Sequence, residues 1–516
     1  MVNDMTESSN RLLGAIHGGS SVSREQRNLV EAWLKARGAA DKVKVRAIPA
    51  RAQQSLARAS VEQEQIWVHS ELAGSKPVYV EPVTVHYNGV LDIEALRQSL
   101  AAFVQRHAAW RTTFELRDGE LFQIIRPQLN VPVPFSDLSS LPHAERERRA
   151  LKLASYDAFT PFDLSRGPLL RWRLVRIASE KHRLYVTLHH IIFDGVSLYK
   201  IFLPELAALY RSYSSGVAAA LPESAIDYPD YAEWHRQHMS ESMVASQLEY
   251  WEKTLANLPQ LRIRPDFARS GVQSFRGSME RFVVPREIAD ALKEIARRTN
   301  STLFMVLTAL IAVLLKDRTG SADIPIGSAA SGRKWSETER VVGLFLNTIV
   351  LRVDASGDPS FLQLVQRVRE MALSALGRDE VPFSAVVQKI APQRDGSQHP
   401  LFQVMFSLEP PLGELEPGWK FTQMDVETGI TKFDLHLEMD DRSEGILARF
   451  IYNADLFKKQ TILEMSKTYL HIARQAAANP GLRISDLVPA RQNTGLMARI
   501  REILGTGALA RASSAS

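Results

Sequence analysis

Leu188-His189-His190-Ile191-Ile192-Phe193-Asp194-Gly195-Val196-Ser197 is the stretch on which the reading of this chain turns. The residues before it, Arg183-Leu184-Tyr185-Val186-Thr187-Leu188, are β-branched, aromatic and apolar, as a buried strand requires. Those after it read as a helix that takes Ser197 as its N-cap and runs through Tyr199 to Leu206. Strand, paired histidines, an acid closing the loop, glycine and helix together can hold one imidazole at the mouth of a sheet. A side chain that titrates near neutrality is suited to take a proton from an amine or alcohol at pH 7. Two other readings compete. A lone His-x-x-x-Asp is common without any chemistry, and His190 with Asp194 could ligate a metal if the segment were helical. Gly195 and the preceding strand argue against a continuous helix, and no third ligand is signalled nearby.

The bulk composition narrows the possibilities. With 516 residues, the chain exceeds one ordinary core and calls for two or three folding units. Hydrophobic residues make up 45% and charged residues 23%, the balance of a folded globular protein rather than a disordered one. A net charge of +5 is mild, and its Lys and Arg are scattered without interleaved aromatics, so nucleic-acid binding has little support. Cysteine is absent, which excludes disulfides, thiolate nucleophiles and Cys-ligated zinc, and fits a reducing cytosol. The polar N-terminus is wrong for a secretory signal, and the apolar run Leu303 to Leu315 falls short of the roughly 20 residues a bilayer needs. A cytoplasmic protein without membrane contact is expected.

Along the chain, residues 1–50 stand apart. Ser23 and Gln26 form a capping box for a helix through Leu34, followed by the basic piece Lys42 to Arg46. From 51 to 225 the pattern is that of one lobe. Strand Val83 to Tyr87 leads to a helix capped by Asp92, and strand Arg171 to Ile177 alternates and would pair with Leu184 to Leu188. Ser212 to Pro229 reads as a linker. A second lobe, 226–488, carries strands near Arg281, Asp323, Thr348, Phe402, Asp434 and Ala448, with a core helix from Leu303. Residues 489–516 read as a disordered tail. The fold class is α+β, a mixed α/β chain of two similar lobes.

The order His-His-x-x-x-Asp-Gly resembles the signature of carrier-protein-dependent acyltransferases, above all the condensation domains of nonribosomal peptide synthetases. Further motifs follow in that family's order. They are Ser60-Val61-Glu62-Gln63 to Trp67; Arg106-His107-Ala108-Ala109-Trp110-Arg111-Thr112-Thr113-Phe114; and Pro161 to Leu169. Then come Tyr228-Pro229-Asp230-Tyr231 to Trp234; Val342-Gly343-Leu344-Phe345-Leu346-Asn347-Thr348; Val381-Pro382-Phe383; and Arg394-Asp395 to Phe402. Departures fall at Glu62, Gln65, Ala108 and Arg378 to Glu380, which bear on substrate and partner. His189 differs from heterocyclisation relatives, Ser197-Leu198 differs from epimerisation relatives, and the late Asp-Phe-Gly-Trp-Gly of plant acyl-CoA acyltransferases is missing.

The resemblance implies two chloramphenicol-acetyltransferase-like lobes in a V-shaped pseudo-dimer, with the reaction at their junction. His190 would be the catalytic residue and Gly195 would leave room for the acyl carbonyl, its N–H facing the developing oxyanion. Asp194 would order the loop by pairing with Arg111. His189 and Ser197 would be supporting residues, with Asn347 and Thr348 near the substrate tunnel. No metal and no bound cofactor are implied, because substrates arrive on the phosphopantetheine of acyl or peptidyl carrier proteins. No adenylation motifs follow residue 488, so the chain resembles a free-standing or excised condensation enzyme meeting its carriers in trans. Residues 1–50 would either dock a carrier or simply pack on the first lobe. Two alternatives stay open: a starter-type enzyme using fatty acyl-CoA, and a non-catalytic member that recruits partners.

Overall fold

A computed structural model describes residues 48–390, 398–422 and 425–489. The N-terminal helix and basic piece, the motif residues Arg394 and Asp395, and the tail lie outside the described residues.

The first lobe opens with strand β1 (Leu56–Arg58) and helix α1 (Val61–Ala73), whose start is fixed by a capping box between Ser60 and Gln63. Strand β2 (Val80–Asn88) runs into α2 (Ile93–Arg106), which Asp92 caps by accepting from the N–H groups of Glu94 and Ala95. Leu96, Leu100, Phe103 and Val104 recur at helical spacing and are all buried on one face. Then come β3 (Thr112–Arg117), β4 (Glu120–Ile125), β5 (Phe135–Asp137), α3 (His143–Phe159), β6 (Leu170–Ala178) and β7 (Lys181–His189). The expected pairing of β6 with β7 is present and antiparallel, with Leu170 opposite Leu188. A helix follows from Gly195, wound as a π-helix over Ser197–Phe202 and as α4 over Leu203–Ser215.

The stretch read as a linker contains the last turn of α4 and the first of α5 (Tyr228–His238). Helix α5 packs on the first lobe, with Tyr228, Tyr231, Ala232 and Trp234 inside its core, and Asp230 pairs with Arg51 at 2.7 Å. The chain then enters the second lobe through α6 (Glu241–Thr254), β8 (Gly277–Pro285) and α7 (Arg286–Arg298). Helix α8 (Leu303–Thr319), capped by Thr302, is buried from Met305 to Leu315 and forms the centre of that lobe's core. Its all-round apolar surface suits an interior position, where each fully buried Leu or Ile contributes about 1.5–3 kcal/mol. Among the described residues no single helix is long and apolar enough to cross a membrane. The rest of the lobe is β9 (Asp323–Ala330), β10 (Asn347–Asp354), α9 (Phe361–Leu376), α10 (Phe383–Ile390), β11 (Val404–Leu408), β12 (Trp419–Thr422), β13 (Leu435–Arg442), β14 (Gly445–Asn453) and α11 (Lys459–Ala478).

Sheet order shows how the lobes are joined. The second sheet runs β10-β9-β11-β13-β14-β8, and the first runs β12-β2-β7-β6-β5. Strand β12 therefore belongs to the second half of the sequence but pairs with the first sheet, Trp419 opposite Tyr87 and Thr422 opposite Thr84. The loop between the antiparallel strands β9 and β10 crosses as well, burying Val341, Val342, Leu344 and Phe345 in the first lobe's core. Two excursions of the second lobe are thus built into the first.

Candidate active site

Strand β7 ends at His189, and the chain breaks into a short turn over His190–Ile192 before the helix begins. The backbone of the turn is tied on both sides. His189 donates its N–H to Leu169 O at 2.9 Å, and His190 donates its own to Tyr79 O at 2.8 Å. Gln63 braces it from α1, donating from Nε2 to Ile191 O at 3.1 Å. The capping-box residue of the first motif therefore holds the loop of the third.

Burial separates the two histidines. His189 is 4% exposed, and its Nδ1 accepts from Ile191 N–H at 3.3 Å. Its other ring nitrogen, Nε2, lies 3.4 Å from Ser70 Oγ. Every residue from Leu184 to Asp194 is buried except His190, which with Gly195 keeps some open surface. The His190 ring stacks on Phe193 at 4.7 Å, and its Nδ1 is buried without a hydrogen-bond partner among the described residues. Burial first, then the ammonium of Lys432, lowers the His190 pKa below the usual imidazole value, while Glu81 and Asp194 pull against them. The ring is thereby held neutral at physiological pH. His189 is pushed down to about 3, by burial and then by His190.

Asp194 is fully buried, and the structure corrects its expected partner. Arg111 does not reach it. Its guanidinium turns to backbone carbonyls, with Nε on Val104 O at 3.2 Å and Nη1 on Arg126 O and, at 3.5 Å, on Pro127 O. Arg111 sits at the start of β3, where the carbonyls leaving α2 and β4 are the nearest acceptors. Arg333, in the β9–β10 loop, takes the role. Its Nη2 lies 2.8 Å and 2.9 Å from the two Asp194 oxygens and its Nε lies 3.1 Å from Oδ2. Nη1 donates to Val341 O at 2.8 Å and also to Thr338 O, and the guanidinium lies 4.0 Å over the Phe345 ring. Breaking such a buried pair by removing one member typically costs about 3–5 kcal/mol. No periodicity marks Arg333 in the sequence. Only its place after Gly332, where β9 gives out, is visible there.

The N-cap assignment also shifts. The helix starts at Gly195, and Asp194 caps it by accepting from Ser197 N–H at 2.7 Å. Ser197 lies within the first turn, because the buried carboxylate outcompetes a hydroxyl for that end of the helix. Its Oγ donates to Asp194 Oδ1 at 2.7 Å and receives Gly343 N–H at 3.1 Å, linking the loop to the crossing segment. Gly195 lies in a tight spot. A Cβ there would stand 3.0 Å from Pro410 Cδ and 3.1 Å from Glu409 Oε2.

Asn347 and Thr348 begin β10. Asn347 spends its amide on the following segment, donating to Asp379 O and Val381 O, both at 2.7 Å, and accepting from Phe383 N–H at 3.2 Å. Thr348 donates its N–H to Asn347 Oδ1 at 2.9 Å. Among the described residues, no hydrogen bond joins either one to His190 or Asp194.

Comparison with known proteins gives the family. The chain belongs to the condensation domain family, whose model matches residues 53–497. A linear gramicidin synthase polypeptide of Brevibacillus parabrevis is 38% identical over 430 residues, covering 82% of this chain and 6% of that protein. Phosphinothricin tripeptide synthetase PhsC of Streptomyces viridochromogenes is 34% identical over 432 residues, 83% of this chain and 40% of its own length. The chain thus spans a minor part of these curated relatives. Among solved structures, the X-domain from teicoplanin biosynthesis superposes with a TM-score of 0.72 at 25% identity, covering 86% of this chain and all of that one. The SgcC5 protein of Streptomyces globisporus gives 0.71 at 27% identity, covering 83% and 100%.

Proposed function

We propose that this chain is a condensation enzyme of nonribosomal peptide or polyketide synthesis. It moves an acyl group from a carrier-protein phosphopantetheine thioester to the amine or hydroxyl of an acceptor, giving an amide or ester. The observation that carries the reading is the exposure pattern: within a buried strand-and-turn, the second imidazole alone has open surface, on a loop fixed by a buried ion pair. His190 is the base. As the acceptor's lone pair attacks the thioester carbonyl carbon, the imidazole takes the acceptor's proton and a C–N or C–O bond forms. Charge collects on the carbonyl oxygen, and the Gly195 N–H, at the start of the helix, is the donor suited to it. Collapse breaks the C–S bond, and the imidazolium returns its proton to the departing sulfur. The steps balance without a metal or redox partner.

Asp194, Arg333, Ser197 and His189 act through His190 by fixing its loop. The partners on this reading are acyl and peptidyl carrier proteins, with residues 1–50 as a docking element. The test is intact-mass analysis of an acyl-loaded carrier and an amine acceptor after incubation with the protein, alongside an arm with acyl-CoA in place of the carrier. Transfer from the carrier is expected, and His190→Ala should slow it by roughly 10²–10⁴-fold with little change in melting. Transfer from acyl-CoA alone would favour the starter-type reading, and unchanged turnover in the variant would remove His190 from the chemistry.

A further inference from the structure

Four carboxyl groups meet where β11 and β13 of the second lobe face β2 and the Gly195 helix of the first: Glu81, Glu409, Glu438 and Asp440. Three have cationic partners. Arg449 Nη2 lies 2.9 Å from Glu81 and 2.8 Å from Glu438, and Arg442 pairs with Asp440, which also receives the Tyr199 hydroxyl at 3.1 Å. The fourth has none. Glu409 is fixed through its backbone N–H to Met439 O at 2.8 Å, yet nothing among the described residues hydrogen-bonds or ion-pairs with its carboxyl. That carboxyl is aimed at the proposed reaction site, since its Oε2 is 3.1 Å from where a Cβ on Gly195 would stand. Gly195 and Glu409 both keep partial exposure, as His190 does. Burial, then Glu438, Asp440 and Glu81, raise the Glu409 carboxyl well above the usual range against the weaker pull of Arg449.

We propose that Glu409 is a specificity residue that receives the ammonium group of an amine acceptor beside Gly195, favouring amines over hydroxyl acceptors. The inference rests on the condensation reading and names the acceptor class for that site. The surroundings favour a cation, because the one unpaired member of a carboxyl cluster gains a partner when a cation arrives. When R–NH3+ binds, the carboxylic acid gives its proton to solvent and the carboxylate pairs with the ammonium. One proton leaves per molecule bound, and no bond to carbon changes; before attack the ammonium hands one proton to the Glu409 carboxylate, which frees the lone pair that the transfer step uses. A hydroxyl brings no charge and leaves that proton in place.

Calorimetry tests this without turnover. The probes are alanyl, leucyl and phenylalanyl thioesters of N-acetylcysteamine and their 2-hydroxyacyl counterparts, titrated in two buffers of different ionisation heat. At least one amine probe is expected to bind more tightly than its hydroxy counterpart and to release a proton. Glu409→Gln, an uncharged isostere, should weaken that probe roughly tenfold or more, abolish the release and leave the hydroxy probes unchanged. Any of three results would overturn the assignment: no preference for an amine across the panel, no proton release by the unaltered protein, or equal weakening of both probe classes. The last would make Glu409 a donor to the carbonyl instead. Failure of the condensation reading would look different: no transferred product, with amine binding and proton release intact.

Discussion

His190 can accept a proton only while its ring is neutral, so its lowered pKa fixes the sign of the pH response. The rate of transfer should rise with pH through a midpoint below the ordinary value near 6.5 and then level off. Lys432→Met removes the ammonium that helps hold the ring neutral, so a pH–rate profile of that variant should show the midpoint moved upward. The arginines are separable by melting. Arg333→Met leaves a fully buried Asp194 unpaired and should cost about 3–5 kcal/mol, whereas Arg111→Ala gives up bonds to partly exposed carbonyls and should cost about 1 kcal/mol. Equal losses would count against the pairing seen here. The sequence is legible for His189, His190, Asp194 and Gly195 because strand, turn and helix are all local. The resemblance misleads for Arg111, because a cation's place within a motif carries no information about where its guanidinium turns. Arg333 lies 139 residues from its partner, and nothing along the chain links the two.

Elements tell the same story through their periodicity. Strands β6 and β7 and helix α2 are readable because their alternation or helical spacing is long and clean, and α8 because an apolar run between a Thr cap and a Lys-Asp-Arg end suits a core helix. Strand β12 is unreadable: four residues that follow Pro417 and Gly418 give too short a pattern, and its partner β2 is more than three hundred residues upstream. The crossing segment near Val342 is a matched motif whose packing role only the structure supplies. Gly343 stands against the Tyr228 ring, where a Cβ would collide with it, while the Tyr228 hydroxyl donates to Leu344 O at 2.5 Å. Gly343→Ala should therefore cost about 1–3 kcal/mol in urea denaturation. The damage should also reach the His190 loop, since Gly343 N–H is bonded to Ser197.

For the whole molecule, the two-lobe reading holds, but the lobes are not independent parcels of sequence. The first core needs α5, the segment through Phe345 and the strand at Trp419, all supplied after residue 225. A fragment covering 51–225 should consequently fail to give dispersed amide NMR signals, while the intact chain should unfold in one transition by fluorescence and circular dichroism alike. The Arg333 clasp has a mechanical corollary. A guanidinium rooted in one half plugs into a carboxylate of the other, beside the turn that carries His190. Parting the halves at that point would strand a buried charge on each side, so any breathing between them must pivot about this pin rather than pull it out.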